Sequence, residues 1–200
     1  MTQINLGKTY LLLQNWNDAV NCFEGVLLLY PQDRDGYQYL ANIYHERVFE
    51  YTKAFALHQK WLSTYPDDPA VLPDFAEKNF TTKRYSDFSK VARALFSNSQ
   101  ITASTKIALR MIEVAALLAL DNTAQIPVAL TDLENAISGQ GADFPVEWSF
   151  NGTLHFINQE QQFAPYRTWL NQFFDIAQEK NREAILKALR QARNQFRKQD

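Results

Sequence analysis

A short helical pattern returns at a spacing close to thirty-four residues, and this spacing limits the fold more than any other feature of the chain. Residues 6–10 read Leu-Gly-x-x-Tyr, and residues 40–44 read Leu-Ala-x-x-Tyr. A proline follows each copy of this pattern, and the two prolines, Pro31 and Pro66, are 35 residues apart. Between these points apolar residues recur three and four apart, as in an amphipathic helix. A fixed period of roughly 20 to 50 residues indicates stacked repeats of one supersecondary unit.

Each repeat is predicted to be a pair of helices joined by a tight turn. The polar pair Gln14-Asn15 separates two apolar stripes, and Pro31 ends the second helix because proline has no backbone N–H to donate. Gly7 is small where the two helices are expected to cross closely. The second copy is one residue longer, and we place the extra residue in the turn at 47–52, where an insertion costs least.

The pattern resembles the tetratricopeptide repeat, a helix-turn-helix unit with a W-x₂-L-G-x₂-Y, A-x₃-F, P signature. The first copy carries Leu6, Gly7, Tyr10, Ala19, Phe23 and Pro31, with Gln3 at the tryptophan position. The resemblance covers residues 1–100 as three units, 1–33, 34–68 and 69–100, of which the third is degenerate. It implies an all-α fold, a right-handed α-solenoid of helix-turn-helix units.

Helical periodicity continues after residue 100 without the repeat signature. Residues 101–140 are predicted to form a diverged fourth helical pair, with helices near 105–120 and 126–137. Residues 141–200 are predicted to be C-terminal capping helices, near 163–178 and 182–197, because a stacked array needs a cover for its last apolar face. The aromatic segment 148–157 is left without an assigned structure.

Composition excludes several classes of function. A net charge of −2 argues against general nucleic-acid binding, which needs a basic surface. The longest apolar stretch, 112–120, is interrupted by Glu113 and is too short to cross a membrane. Cys22 is the only cysteine, so no intrachain disulfide can form, which favours a cytoplasmic location. The helical pattern is under way by Ile4, which leaves open that the chain is a fragment of a longer protein.

No residue pattern indicates catalysis, a cofactor or a metal. His45, His58 and His155 are far apart and in no ligand spacing, and His45 is expected at the surface or in a partner contact. Cys22 is expected to be a packed small residue rather than a nucleophile. On the last helix Arg190, Arg193 and Arg197 share one face. A solvated face is favoured there over a contact with RNA or an acidic partner.

The resemblance implies that a peptide or partner helix binds in a concave groove lined by the first helix of each unit. The groove residues are named by their offset from Gly7. They are Asn5, Lys8, Tyr39, Asn42, His45, Glu46, Asp74, Glu77 and Phe80. Asparagine amides suit an extended peptide backbone, while Tyr39 and Phe80 offer apolar anchors. The chain is therefore predicted to be a non-enzymatic protein-protein interaction module and scaffold.

Two other functions stay open, a regulatory sensor that responds to a peptide or small effector, and an accessory scaffold fragment of a larger enzyme or signalling protein. Recognition of a chaperone tail is disfavoured. Family members that hold a C-terminal carboxylate use a clamp of two lysines, two asparagines and an arginine. The corresponding positions here are Ile4, Lys8, Tyr39, Ala70 and Asp74, which supply one cation and one repelling carboxylate.

Overall fold

The protein is all-helical over the residues that the computed structural model describes, which are 2–66, 68, 70–141, 146–178 and 181–196. In chain order the α-helices are α1 (Gln3–Leu12), α2 (Trp16–Leu29), α3 (Arg34–Glu46), α4 (Tyr51–Thr64), α5 (Val71–Thr81), α6 (Tyr85–Phe96), α7 (Ala103–Ala119), α8 (Ile126–Ser138), α9 (Asn151–Gln159), α10 (Arg167–Gln178) and α11 (Arg182–Phe196). Short 3-10 helices, Thr123–Gln125 and Gln161–Tyr166, precede α8 and α10. The all-α class is thus confirmed for the described residues.

The turns inside the first four helix pairs share one backbone geometry. Each contains a residue other than glycine in the left-handed region, with φ between 54° and 63°. They are Gln14, Phe49, Lys83 and Asp121. In three of the turns the next residue donates its N–H to a carbonyl five residues earlier, at 2.8–2.9 Å. This is the bond of a Schellman motif, which satisfies carbonyl groups left over at a helix end.

The second turn differs from the other three by one residue. The N–H of Glu50 donates to the carbonyl of Tyr44, six residues earlier, at 2.7 Å. The extra residue predicted for 47–52 therefore lies in this turn, between the end of α3 and the start of α4. A longer loop is tolerated here because closing it costs little additional entropy.

Side chains cap the starts of several helices. Asp33 accepts from the N–H of Gly36 at 2.6 Å and caps α3, and Asn181 accepts from the N–H of Ala184 at 3.2 Å and caps α11. Pro127 lies in the first turn of α8, where its missing N–H costs nothing. The helix that contains Pro73 begins at Val71.

Consecutive helices from α1 to α8 pack on one another. A Cβ added at Gly7 would lie 2.8 Å from Cζ of Phe23, which confirms the close crossing of α1 and α2 predicted there. One apolar core, including Phe23, Tyr37 and Trp61, joins α1–α4 to the start of α5. A second core extends from α5 to α11.

The helices after α8 do not simply extend this order. The last helix, α11, packs on α8, whereas α9 packs against α3 and α5 near the middle of the chain. The helix expected near 163–178 begins as a 3-10 helix and becomes α-helical only at Arg167, because Pro165 lies within that first stretch. Residues 142–145 and 197–200 lie outside the described residues. Among those described, no helix combines the length and apolar character that a bilayer crossing needs.

Candidate functional site

An open cleft with a volume of about 450 Å³ lies where α1, α3 and α5 meet the chain that leads into α9. Five of the nine predicted groove residues line it. They are Tyr39, Asn42, Glu46, Asp74 and Glu77. Leu11 of α1 and Ile43 of α3 complete the apolar wall. We call this space the cleft.

The other four predicted groove residues lie elsewhere. Asn5 is exposed on α1, and Lys8 lies at the edge, its ammonium 4.9 Å from the ring centroid of Tyr39 and 3.5 Å from Asp35. His45 and Phe80 are fully buried. The expectation that His45 is a surface or contact residue is therefore wrong, and Phe80 cannot anchor a partner.

The segment formed by residues 146–159, which we call the covering segment, contributes to the burial of both residues. Phe80 packs edge-to-face on Phe156 of α9, with ring centroids 5.5 Å apart. Gly152 lies against His45, so closely that an added Cβ would overlap the imidazole ring. The chain itself thus occupies part of the surface that the sequence assigned to a partner.

Polar contacts hold the covering segment on α3 and α5. Thr153, which is fully buried, donates its hydroxyl to Oε1 of Glu77 at 2.7 Å. The indole Nε1 of Trp148 donates to the same oxygen at 3.3 Å. Ser149 donates to Oε2 of Glu46 at 2.5 Å. The carboxylates of Glu46 and Glu77, which were predicted to face a partner, therefore accept hydrogen bonds from side chains of the same chain.

Beneath the cleft lies a buried ion pair. Glu77 and Lys78 are each 1% exposed, and Oε2 of Glu77 lies 3.2 Å from Nζ of Lys78. Burial by itself lowers the pKa of Lys78, but the negative charges of Glu77, Asp74 and Glu46 outweigh it and raise that pKa above its usual value. Lys78 therefore stays charged and compensates the buried carboxylates.

Burial dominates the pKa values of His45 and Glu46, whereas neighbouring charges dominate that of Asp74. Burial lowers the pKa of His45 to about 3, so its ring is neutral at physiological pH. Its Nδ1 lies 2.7 Å from Oε1 of Glu46, while Nε2 has no partner among the described residues. Burial raises the pKa of Glu46, against the hydrogen bond from Ser149 and the charge of Lys78. Asp74 faces burial as well, but Lys78 and His58 bring its pKa below the usual value.

Three of these groups meet with a geometry that could hold a metal ion. The potential ligand atoms of His45, Glu46 and Glu77 lie within 4.8 Å of one another. Glu77 comes from α5 and the other two from α3, so no sequence spacing could have revealed the group. The ammonium of Lys78 already supplies a positive charge beside Glu77, so a metal ion would have to compete with it.

Sequence reasoning missed several residues of the cleft. Trp16 and Arg47 line it, and the Arg47 guanidinium carbon lies 5.3 Å from the ring centroid of Trp16. Glu147 and Trp148 line it from the covering segment. For the covering segment, the sequence offered only the high aromatic content of 148–157, and this does not indicate where the segment packs.

Two of the three arginines on the basic face of α11 form ion pairs within the chain. Nε of Arg190 lies 2.6 Å from Oε1 of Glu134, and Nη1 of Arg193 lies 2.8 Å from Oε2 of the same carboxylate on α8. Arg197 lies outside the described residues. The preferred interpretation as a merely solvated face is therefore wrong for Arg193, which is partly buried in this contact.

Cys22 is buried, which agrees with its expected packing role. Comparison with known protein families gives no matching family model, and comparison with curated proteins gives no significant match.

Proposed function

We propose that this chain is a non-enzymatic, tetratricopeptide-like interaction module that binds a peptide or partner helix in the cleft. The observation that carries the proposal is the meeting of Tyr39, Asn42 and Asp74 in one open space, with two tryptophans beside them. These residues come from separate helices and were selected by their position in the repeat. Their convergence on a cleft is what a partner-binding face requires.

The repeated turn supports the architecture of the proposal. The left-handed residues Gln14, Lys83 and Asp121, each followed by the same hydrogen bond, occur in the first, third and fourth helix pairs. A common turn sets a common angle between the helices of a pair. We therefore propose a right-handed α-solenoid of four such units, 1–33, 34–68, 69–100 and 101–140.

The chemistry of the cleft suits a polypeptide. Asn42 offers an amide donor and acceptor for a peptide backbone, and Tyr39 offers a ring that is half-buried and therefore already ordered. Aromatic residues in partly desolvated pockets often dominate the binding energy of an interface. The covering segment adds Trp148, so the cleft is narrower than the groove that the repeat alone implies.

The test compares partner capture from the source cell by the wild-type chain and a Tyr39→Ala/Asn42→Ala variant. A matched control is Tyr30→Ala/Asn21→Ala, which changes the same residue types at exposed positions of α2 and its C-terminal end. Circular dichroism melting establishes that all three chains fold equally well.

We expect a partner captured by the wild type and the control to be lost with the cleft variant. A partner retained by the cleft variant places binding outside the cleft and contradicts the proposal. A partner lost only with the control places binding on α2, which is equally contradictory.

A second candidate is a sensor that changes conformation with a peptide or effector, and the covering segment favours it. Ser149 and Trp148 bind Glu46 and Glu77 through hydrogen bonds that an incoming ligand can compete for. A sensor should then show faster amide exchange in α9 when a cleft ligand binds. Unchanged or slower exchange there would favour the simple interaction module.

A further inference from the structure

We infer that the partner segment that enters the cleft is cationic, so that a lysine or arginine side chain binds among its carboxylates and aromatic rings. This inference rests on the proposed function and narrows it to one chemical class of ligand. It follows from the carboxylates that line the cleft, from the ion pair that already uses the charge of Lys78, and from the aromatic rings beside them.

Carboxylates outnumber cations around the cleft. Four carboxylates line it, from Glu46, Asp74, Glu77 and Glu147, against two cations, from Arg47 and Lys78. Lys78 is buried and lies 3.2 Å from Glu77, so its charge is already compensated. The remaining carboxylates leave the cleft negative, and its potential opposes an acidic peptide.

Two of the carboxylates remain accessible to a ligand. Glu147 is exposed, and its carboxylate forms no ion pair with the described part of the chain. Asp74 keeps about a quarter of its side chain accessible, at 24%, and its nearest cationic candidate is Nε2 of His58 at 3.9 Å. The pKa of Asp74 is lowered, so it is ionised at neutral pH. A cationic side chain that enters the cleft can therefore pair with Glu147 and contact the accessible part of Asp74, whose charge Lys78 and His58 only partly offset.

The aromatic rings of the cleft are suited to a cation as well. Tyr39 already has the Lys8 ammonium 4.9 Å from its ring centroid, and Trp16 has the Arg47 guanidinium 5.3 Å from its own. Ring faces attract cations within about 6 Å of the centroid. Cations of this chain already cover these two ring faces, and Phe23 stacks on Tyr39 with ring centroids 5.1 Å apart. The rings therefore show that the surroundings of the cleft attract cations, while the carboxylates provide the contact for an arginine or lysine side chain of a ligand.

The probe for this inference is a phage-displayed library of random peptides about twelve residues long, selected on the immobilised wild-type chain. Selected peptides are synthesised, and their affinities are measured by fluorescence anisotropy against four chains. These are the wild type, Asp74→Asn/Glu147→Gln, Tyr39→Ala/Asn42→Ala, and the control Asp121→Asn/Asp175→Asn. The control changes the net charge by the same amount at two exposed positions outside the cleft.

We expect the selected peptides to be enriched in lysine and arginine. The charge variant should weaken their binding by about tenfold, while the control leaves it unchanged. Their affinity should also fall as sodium chloride rises from about 0.05 to about 0.5 M, because salt screens exposed charges. If Asp74→Asn impairs folding, Glu147→Gln alone gives the test, since that side chain is exposed.

Other outcomes separate this inference from the proposed function. Selected peptides without basic residues, or with unchanged affinity for the charge variant, overturn the inference. If the same peptides still lose binding with Tyr39→Ala/Asn42→Ala, the cleft remains a peptide site. Peptides that bind equally to both cleft variants, or a library that yields no binder, overturn the inference and the proposed function together.

Discussion

Gly152 at the start of α9 lies directly against His45 of α3, and only a residue without a side chain fits between the two helices. A Cβ added there would overlap the imidazole ring and lie 2.7 Å from the carbonyl oxygen of His45. The hydroxyl of Tyr51 donates to the carbonyl of Gly152 at 3.0 Å, which adds a second contact to the same backbone. The backbone of the covering segment therefore packs directly on α3.

Gly152→Ala is expected to lower the free energy of unfolding by about 1–3 kcal/mol, because the new methyl group must push α9 away from α3. Urea unfolding followed by circular dichroism measures the change. Gly139→Ala is the matched control, because a Cβ there would first meet the carbonyl of Ala136 at 3.8 Å, an ordinary contact. Equal stability of the two variants would show that α9 does not pack on α3 as described.

The ion pair under the cleft gives a second prediction. Lys78→Met leaves the buried carboxylate of Glu77 without its cation, so we expect a loss of about 3–5 kcal/mol in the free energy of unfolding. Lys83→Met is the control, because Lys83 pairs with Glu160 at 2.7 Å but is 56% exposed. Surface pairs of this kind contribute at most about 1 kcal/mol.

Chemical denaturation of both methionine variants supplies the comparison. If Lys78→Met costs no more than Lys83→Met, then Glu77 does not carry a buried negative charge. The Lys78 ammonium would then not be neutralising a buried carboxylate beneath the cleft.

Sequence alone could give α1–α8 and five of the thirteen residues that line the cleft, because both follow from local periodicity. The register set by Gly7 placed Tyr39 and Asn42 of α3 and Asp74 of α5 on one face, and these three residues do line the cleft. The same register located the turns, including the longer second one. Each of these features depends on residues close together in the chain.

The part of the cleft formed by the covering segment depends on contacts between residues far apart in the chain. Ser149 reaches Glu46 across 103 positions, and Thr153 reaches Glu77 across 76. No periodicity of 146–159 indicates that it packs on α3 and α5. For that reason His45 and Phe80 were assigned to a partner surface, although the covering segment buries them.

The junction of α11 with α8 gives a third prediction. Glu134 accepts from both Arg190 and Arg193, so Glu134→Gln weakens two contacts at once. The side chains are partly exposed, so we expect a cost of about 1 kcal/mol and faster amide exchange in α11. The control is Asp87→Asn on α6, which also removes a carboxylate with two cationic partners, Arg84 at 3.8 Å and Lys90 at 3.5 Å, and no change in α11 exchange is expected.

The buried imidazole of His45 gives a fourth prediction, on pH dependence. Burial lowers its pKa to about 3 in the folded chain, against about 6.5 for the unfolded chain. Between these values the unfolded state binds the additional proton. The contribution to stability is therefore fully present above pH 6.5 and is lost as the pH falls toward 3. Glu46, whose pKa is raised by burial, contributes with the opposite sign just above its usual value.

His45→Gln keeps an amide donor toward Glu46 and removes the titration. Between about pH 5 and pH 6 we expect the wild-type free energy of unfolding to fall more steeply with decreasing pH than that of the variant. The difference should be roughly 1 kcal/mol per pH unit. His155→Gln is the control, because the pKa of His155 is also lowered by burial but this side chain is only half-buried. If the free energy of unfolding depends on pH in the same way for the two glutamine variants, then His45 is not buried and neutral in the folded chain.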